Sequence, residues 1–236
     1  ITVDQIADTA VHGRRNLIIN GAMQVAQRGT VTGKTASAYG GPDRIRLGLS
    51  GAGTHSISQS TTVPSGAGFS NSWKLDCTTA DTTPAFLAAQ YRVEGQDLQQ
   101  LKKGTSSAES VTVSFWVRSN VTGTYVFELR DRDNTRHIAK TYTISAADTF
   151  EYKTLTFAGD TSGTLDNNNG NSMELNWWLG ANSTYTSGTL PSSWAAETDA
   201  NRAVGLNVNI AGNTANEWLI TGVQLEVGDK ATPFEH

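Results

Sequence analysis

The sequence predicts an all-β protein, a two-sheet antiparallel β-sandwich of jelly-roll type, preceded by a short segment of different character. Three observations carry this. From Asn16 onward, apolar and polar residues alternate with a period of two, the pattern of strands with one face inward. The chain has 23 glycines against 5 prolines, with Thr, Ser and Asn in the turns, as many short strands require. Turn signals recur at the spacing of a sandwich, and no internal repeat divides residues 16–236. The expected organisation is therefore an N-terminal segment or linker over 1–15 and one sandwich over 16–236.

The first half predicts strands at 17–19, 44–49, 73–77 and 85–93. A short helix is expected at 97–103, with Asp97 near its start and Gly104 past its end. The clearest strand is 111–117, where Val111, Val113, Phe115 and Val117 share a face. The next, 125–130, turns Tyr125, Phe127 and Leu129 inward and ends in a tight turn at Asp131-Arg132-Asp133-Asn134. Strands at 153–157, 173–179, 204–210 and 218–225 complete the set. The intervening loops, 160–171 and 181–198, read as too polar to pack.

Composition narrows the function. Charged residues make up 17% of the chain, against about 25% in an average globular domain. Hydroxyl and amide groups take their place, a surface suited to neutral polyols. The net charge is −4, with 18 basic and 22 acidic residues interspersed. This offers no basic face for a nucleic acid. No apolar run approaches the roughly 18 residues of a membrane span. No signal peptide opens the chain, and Ile1 reads as a cut point inside something longer. Cys77 has no internal partner and lies in the apolar phase of Trp73 and Leu75, which predicts a buried, inert thiol.

Alternation also identifies what points outward. One strand turns out Thr112, Ser114, Trp116 and Arg118; others turn out Val126, Glu128 and Arg130, or Glu174, Asn176 and Trp178. Gln90, Arg92, Asn207 and Asn209 belong to a similar face. Tryptophans among amides, arginines and carboxylates compose a saccharide-binding face. An indole offers a flat apolar platform with a hydrogen-bonding edge, and Asn, Glu and Arg supply directional partners. The alternative is that Trp116 and Trp178 are covered by the N-terminal segment, a long loop or a neighbouring subunit. Tyr185 and Trp194 form a second candidate cluster on a loop, where recognition often lies; Trp194 equally suits a plug at the sandwich end.

Catalytic signatures are thin. His12, His55, His137 and His236 stand in no metal-ligand spacing and beside no nucleophile motif. Asp131 and Asp133 lack the glycine and distal glutamate of a calcium loop and read as turn residues. Glu128, Asp131, Asp133 and Glu174 supply acids, but the sequence does not show the flanking pair that glycoside hydrolysis needs.

Three stretches carry a resemblance. Arg14 to Gln24 (RRNLIINGAMQ), continuing through Gln27-Arg28-Gly29-Thr30, resembles the opening of bacteriophage tail-fibre and virion-appendage head domains. Pro42-Asp43-Arg44 matches the family's Asp-Arg-Trp position, with Ile45 in place of the tryptophan. Ile220 to Gly228 (ITGVQLEVG) and Ala231 to His236 (ATPFEH) are similar to its closing signature. The stretches 90–95 and 114–116 also look like the family. Residues 1–11 resemble a repeat of a trimeric fibre shaft, which implies a fibre-shaft-like segment carrying the head.

The whole is remotely similar to jelly-roll carbohydrate-binding modules. That similarity implies a structural calcium between opening and closing strands, yet Gln24, Thr221 and Gly222 replace the acids, so no cofactor is expected. Related chains run on past this point, so His236 is expected to be an end set by processing or cloning. First and last strands should lie side by side, with Leu17 and Ile19 near Leu219, Val223 and Leu225. Arg28-Gly29 reads as a turn, with a salt bridge or subunit contact as the alternative.

The expected function is host-receptor binding to a cell-surface glycan by a non-catalytic, homotrimeric head on a virion, alongside other virion proteins. The candidate glycan contacts are Trp116, Arg118, Glu128, Arg130, Asn176, Trp178, Tyr185 and Trp194. A purely structural virion protein is the alternative, and a glycan depolymerase the third reading.

Overall fold

The pattern Val111, Val113, Phe115, Val117 places four apolar side chains on one face of a strand, and all four are buried in the core of the computed structural model. The structure describes residues 15–235. The shaft-like segment, apart from Arg15, lies outside the described residues, as do His12 and His236. The strands are β1 (Val31–Lys34), β2 (Ala38–Tyr39), β3 (Ile45–Ser50), β4 (Thr54–Ser60), β5 (Ser72–Thr79), β6 (Phe86–Glu94), β7 (Val111–Ser119), β8 (Gly123–Asp131), β9 (Arg136–Ile144), β10 (Glu151–Phe157), β11 (Asn171–Ala181), β12 (Ala195–Ala196) and β13 (Glu217–Val227).

They form two antiparallel sheets, one ordered β1-β4-β5-β13-β7-β10 and the other β12-β9-β8-β11-β6-β3-β2. This is the jelly-roll sandwich the alternation predicts. Its core interleaves Trp73, Phe115 and Trp218 from the first sheet with Leu47, Phe127 and Trp177 from the second. The predicted helix is a 3₁₀ turn, Gly95–Leu101, ended by Lys102 in the left-handed region. Cys77 is buried, and burial pushes its thiol pKa up.

Several elements depart from the sequence reading. β9 is not expected because Lys140 interrupts its inward phase of Ile138, Tyr142 and Ile144; the ammonium lies over the Phe157 ring instead. β4 is hidden in the same way. Its buried His55 hydrogen-bonds the Ala52 carbonyl at 2.7 Å, and Gln59 donates to the Met23 carbonyl at 2.7 Å. The strand expected at 204–210 is a loop. There the Asn207 side chain accepts from the Thr124 amide at 2.7 Å and occupies the ladder position that a further strand would take.

The opening segment pairs with β13 through Leu17 N–H to the Leu225 carbonyl (2.9 Å) and Val223 N–H to the Gly21 carbonyl (3.0 Å). It is not a regular strand, because the Asn16 side chain substitutes for ladder bonds. That side chain accepts from Ile18 and Leu225 amides at a bulge in β13. The phase also shifts: Ile18 is buried, Leu17 is half-buried, and Ile19 is 40% exposed. Ile18, not Leu17 and Ile19, therefore fills the core beside β13.

Candidate functional site

The outward face of the seven-stranded sheet is half covered. Residues 182–208 fold back across β8, β9 and β11, so the loop expected to be too polar to pack does pack. Trp178 has no exposed surface; it sits under Tyr185, Leu190 and Leu206, with Phe86 edge-on at 5.0 Å. Glu128 is equally buried. Its carboxylate accepts from Arg202 Nε (3.0 Å), Trp178 Nε1 (3.1 Å) and Asn176 Nδ2 (3.3 Å), and meets His137 Nδ1 at 2.9 Å. Burial alone would raise the Glu128 pKa, but the His137 hydrogen bond and the Arg202 charge hold it below the usual carboxylate range. The Arg202 guanidinium also lies 5.0 Å from the Trp178 ring. The burial of Glu128, Asn176 and Trp178 leaves a dissolved sugar no surface to contact there, and Arg130 is enclosed by Glu174 and Glu197. Tyr185 lies half-buried on the covering loop.

Trp194 plugs the end of the sandwich. It packs on the core, donates from Nε1 to the Ala158 carbonyl at 2.8 Å and lies beneath the Lys103 ammonium at 5.2 Å. Lys103 is itself buried between Asp131 (2.5 Å) and Asp160 (3.0 Å). The other Asp131 oxygen caps the turn by accepting from the Asp133 and Asn134 amides.

An open aromatic surface lies on the six-stranded sheet. β10 lies antiparallel to β7 with Tyr152 directly opposite Trp116. The two rings lie 5.3 Å apart at 48°; Tyr152 is 45% exposed and Trp116 half-buried. Across the sheet, Phe69 and Phe234 meet edge-to-face at 4.9 Å. Together these four rings wall an open groove of about 840 Å³, with Ser114, Thr154, Lys230 and Thr232 as its polar groups.

Backbone geometry opens this space. Gly222, at the β13 bulge, has φ +60°, and a Cβ there would lie 2.5 Å from Phe69 Cζ and 3.1 Å from Trp116 Cδ1. The closing segment forms one wall because it is strapped to β13. Thr232 N–H donates to Glu226 at 3.0 Å, and Glu235 N–H donates to Gln224 at 2.8 Å. The Glu235 carboxylate in turn accepts from the Arg15 and Asn16 amides at 2.7 and 2.9 Å.

Of the predicted contacts, only Trp116 lies in this groove. Arg118, two residues on, points out from the same sheet but is bound by Glu217 and Asp148. Tyr152 lies one residue before the predicted strand 153–157; the alternation, extended back to Glu151, reaches it. Phe69 and Phe234 come from irregular segments with no period to read.

The calcium that family resemblance implies does not fit. The Thr221 hydroxyl donates to the Asn71 carbonyl at 2.7 Å, and Gly222 is enclosed by aromatic rings. No group of three His, Cys, Asp or Glu side chains gathers to hold a metal among the described residues. Among those residues, no helix is long and apolar enough to cross a membrane.

No protein-family model matches the chain, and no curated protein matches it. Solved structures are similar in outline. The enzymatically active domain of bacteriophage CBA120 tailspike protein 4 aligns over 90% of this chain at 13% identity and a TM-score of 0.46. The match spans 21% of the tailspike chain. A CBM4 carbohydrate-binding module aligns over 89% of this chain and 99% of its own, at 11% identity and a TM-score of 0.44. The Stig cyclase Fisc from Fischerella sp. TAU aligns over 92% and 98%, at 11% identity and a TM-score of 0.49.

Proposed function

We propose that this chain is the head of a phage tail fibre or virion appendage, and that it binds a host-surface glycan in the aromatic groove without catalysis. The observation that carries the reading is the Trp116–Tyr152 pair, fixed on adjacent strands and open to solvent. Two rings held by rigid sheet backbone form a ready platform for the C–H face of a pyranose, with little ordering required on binding. Ser114, Thr154, Thr232 and Lys230 then provide donors and acceptors for ring hydroxyls.

The opening and closing signatures support the virion setting, and their strapping together is what builds the groove wall. Three heads on one shaft, with other virion proteins above, would multiply weak single-site contacts into useful avidity. The non-catalytic reading is supported by Glu128 and Glu174: both are buried and held by protein partners, Glu128 by His137 and Arg202 and Glu174 by Arg130 and Arg92, out of reach of the pair of positions flanking a glycosidic bond that hydrolysis needs.

The test is a glycan-array and host-cell binding assay on the chain with Trp116→Ala and Tyr152→Ala, using Trp178→Ala as a core control. Binding that falls about tenfold or more in the first two, with unfolding temperatures unchanged, supports the groove. A folded parent that binds no glycan overturns the reading and favours a purely structural virion part.

A further inference from the structure

The other half of the seven-stranded sheet is left open by the covering loop. There Arg28, Tyr39, Arg44 and Arg92 line a cleft of about 330 Å³ together with Asn169, Asn171 and the Glu94 carboxylate that Arg44 neutralises. Arg46, opposite Tyr39 in the β2–β3 pairing, stands beside it. The Tyr39 ring, 39% exposed, holds two guanidinium groups in place, Arg28 at 5.3 Å and Arg46 at 5.7 Å. Arg44 is held at φ +77°, a left-handed conformation that is strained for a residue with a side chain and that concentrates at functional sites.

The charges here do not balance. Arg28 pairs with Asp43 and Arg44 with both oxygens of Glu94. Arg92 meets Glu174 at 3.0 Å, but that carboxylate is shared with Arg130. Arg46 has no ion pair among the described residues, and its buried Nε has no hydrogen-bond partner. Burial, then the Arg92 charge, lower the Arg46 pKa. Glu174 acts on Arg46 only through its longer-range charge, so an oxyanion reaching the terminal nitrogens of this half-buried guanidinium would give it a direct ion pair.

We propose that this cleft binds the carboxylate of an acidic saccharide, a uronic acid unit within a polymer, with Arg92 from its lining and Arg46 at its edge, beside Tyr39, as the charged donors. Asn169 and Asn171 supply amides for neighbouring hydroxyls; the buried Oδ1 of Asn171 is an acceptor without a partner. The inference rests on the glycan-binding reading for the kind of ligand, but on a different face and different residues.

The experiment is an NMR titration of the full chain with trigalacturonate and with its methyl ester, at low and high salt, repeated with Arg46→Gln, Arg46→Lys and Trp116→Ala. The acid is expected to bind about tenfold or more tightly than the ester and to weaken with salt. Arg46→Gln removes that preference, Arg46→Lys keeps part of it, and Trp116→Ala leaves it intact. Equal binding of acid and ester, no uronate binding at millimolar concentration, or an unchanged preference in folded Arg46→Gln overturns the proposal. So does competition by inorganic phosphate at equal strength, which would mark a bare anion site. Loss of neutral-glycan binding in the parent would instead strike the groove reading alone.

Discussion

Replacing Glu128 by Gln changes one atom's identity and one unit of charge at the centre of the covered face. The new amide keeps an oxygen for Trp178 Nε1, but it presents a donor where Arg202 and His137 now meet a carboxylate. Arg202, 6% exposed, would keep the amide oxygen through its Nη2, but its remaining carboxylates would be exposed Asp199 at 3.4 Å and Glu197 at 3.9 Å, which Arg130 already holds. Breaking a buried ion pair by removing one partner costs about 3–5 kcal/mol. The surviving Nη2 bond and the two nearby carboxylates put this case near the low end, about 3 kcal/mol. For a chain of this size, that corresponds to a fall of roughly 6–12 °C in unfolding temperature. Urea unfolding followed by tryptophan fluorescence measures it directly. Limited proteolysis should also cut within 182–208 sooner, since Arg202 anchors that loop to the sheet. A stability loss below about 1 kcal/mol, with the loop still protected, would refute the view that this network holds the cover down.

Fold class was legible in the sequence wherever the inward phase is apolar, as in β7 and β8. It was illegible wherever a polar side chain takes an inward position and satisfies itself locally. His55 and Gln59 in β4 bond nearby carbonyls, and Lys140 in β9 reaches over Phe157, so neither strand shows a clean period. At 204–210 the reverse holds: Val208 and Ile210 are buried, as in a strand, but from a loop whose Asn207 bonds Thr124 at the start of β8. The outward face posed a harder question, since alternation says which way Trp178 points and nothing about what lies over it. Its cover comes from Tyr185, Leu190 and Leu206, residues too widely spaced to signal packing. Trp116 and Trp178 look alike in sequence, yet one borders a groove and the other is core. The cleft beside Arg46 is not legible in the sequence, because Tyr39, Arg46 and Arg92 converge only through the β2–β3–β6 pairing and Arg28 joins them from the segment before β1.

Leu225→Ala should destabilise the fold by about 2–5 kcal/mol, because Leu225 is fully buried where the opening segment meets β13; the urea midpoint reports it. Gly222→Ala should reduce glycan binding about as much as Trp116→Ala on the same array, since its methyl group would push Phe69 and Trp116 apart; a bound structure with both rings unmoved would contradict this. Acid should weaken the fold in two stages, measurable as unfolding temperature against pH. His55 is buried and its pKa is lowered, so the unfolded chain takes up its proton first and stability declines as pH falls below about 6.5. The second stage comes from Glu128, Asp160, Glu174 and Glu217, whose folded pKa values are depressed. Their stabilisation is complete above the ordinary carboxylate range and is lost as pH falls through those lowered values, so the steeper decline belongs below about pH 4.5. Glu128→Gln should flatten that lower limb while leaving the His55 stage in place.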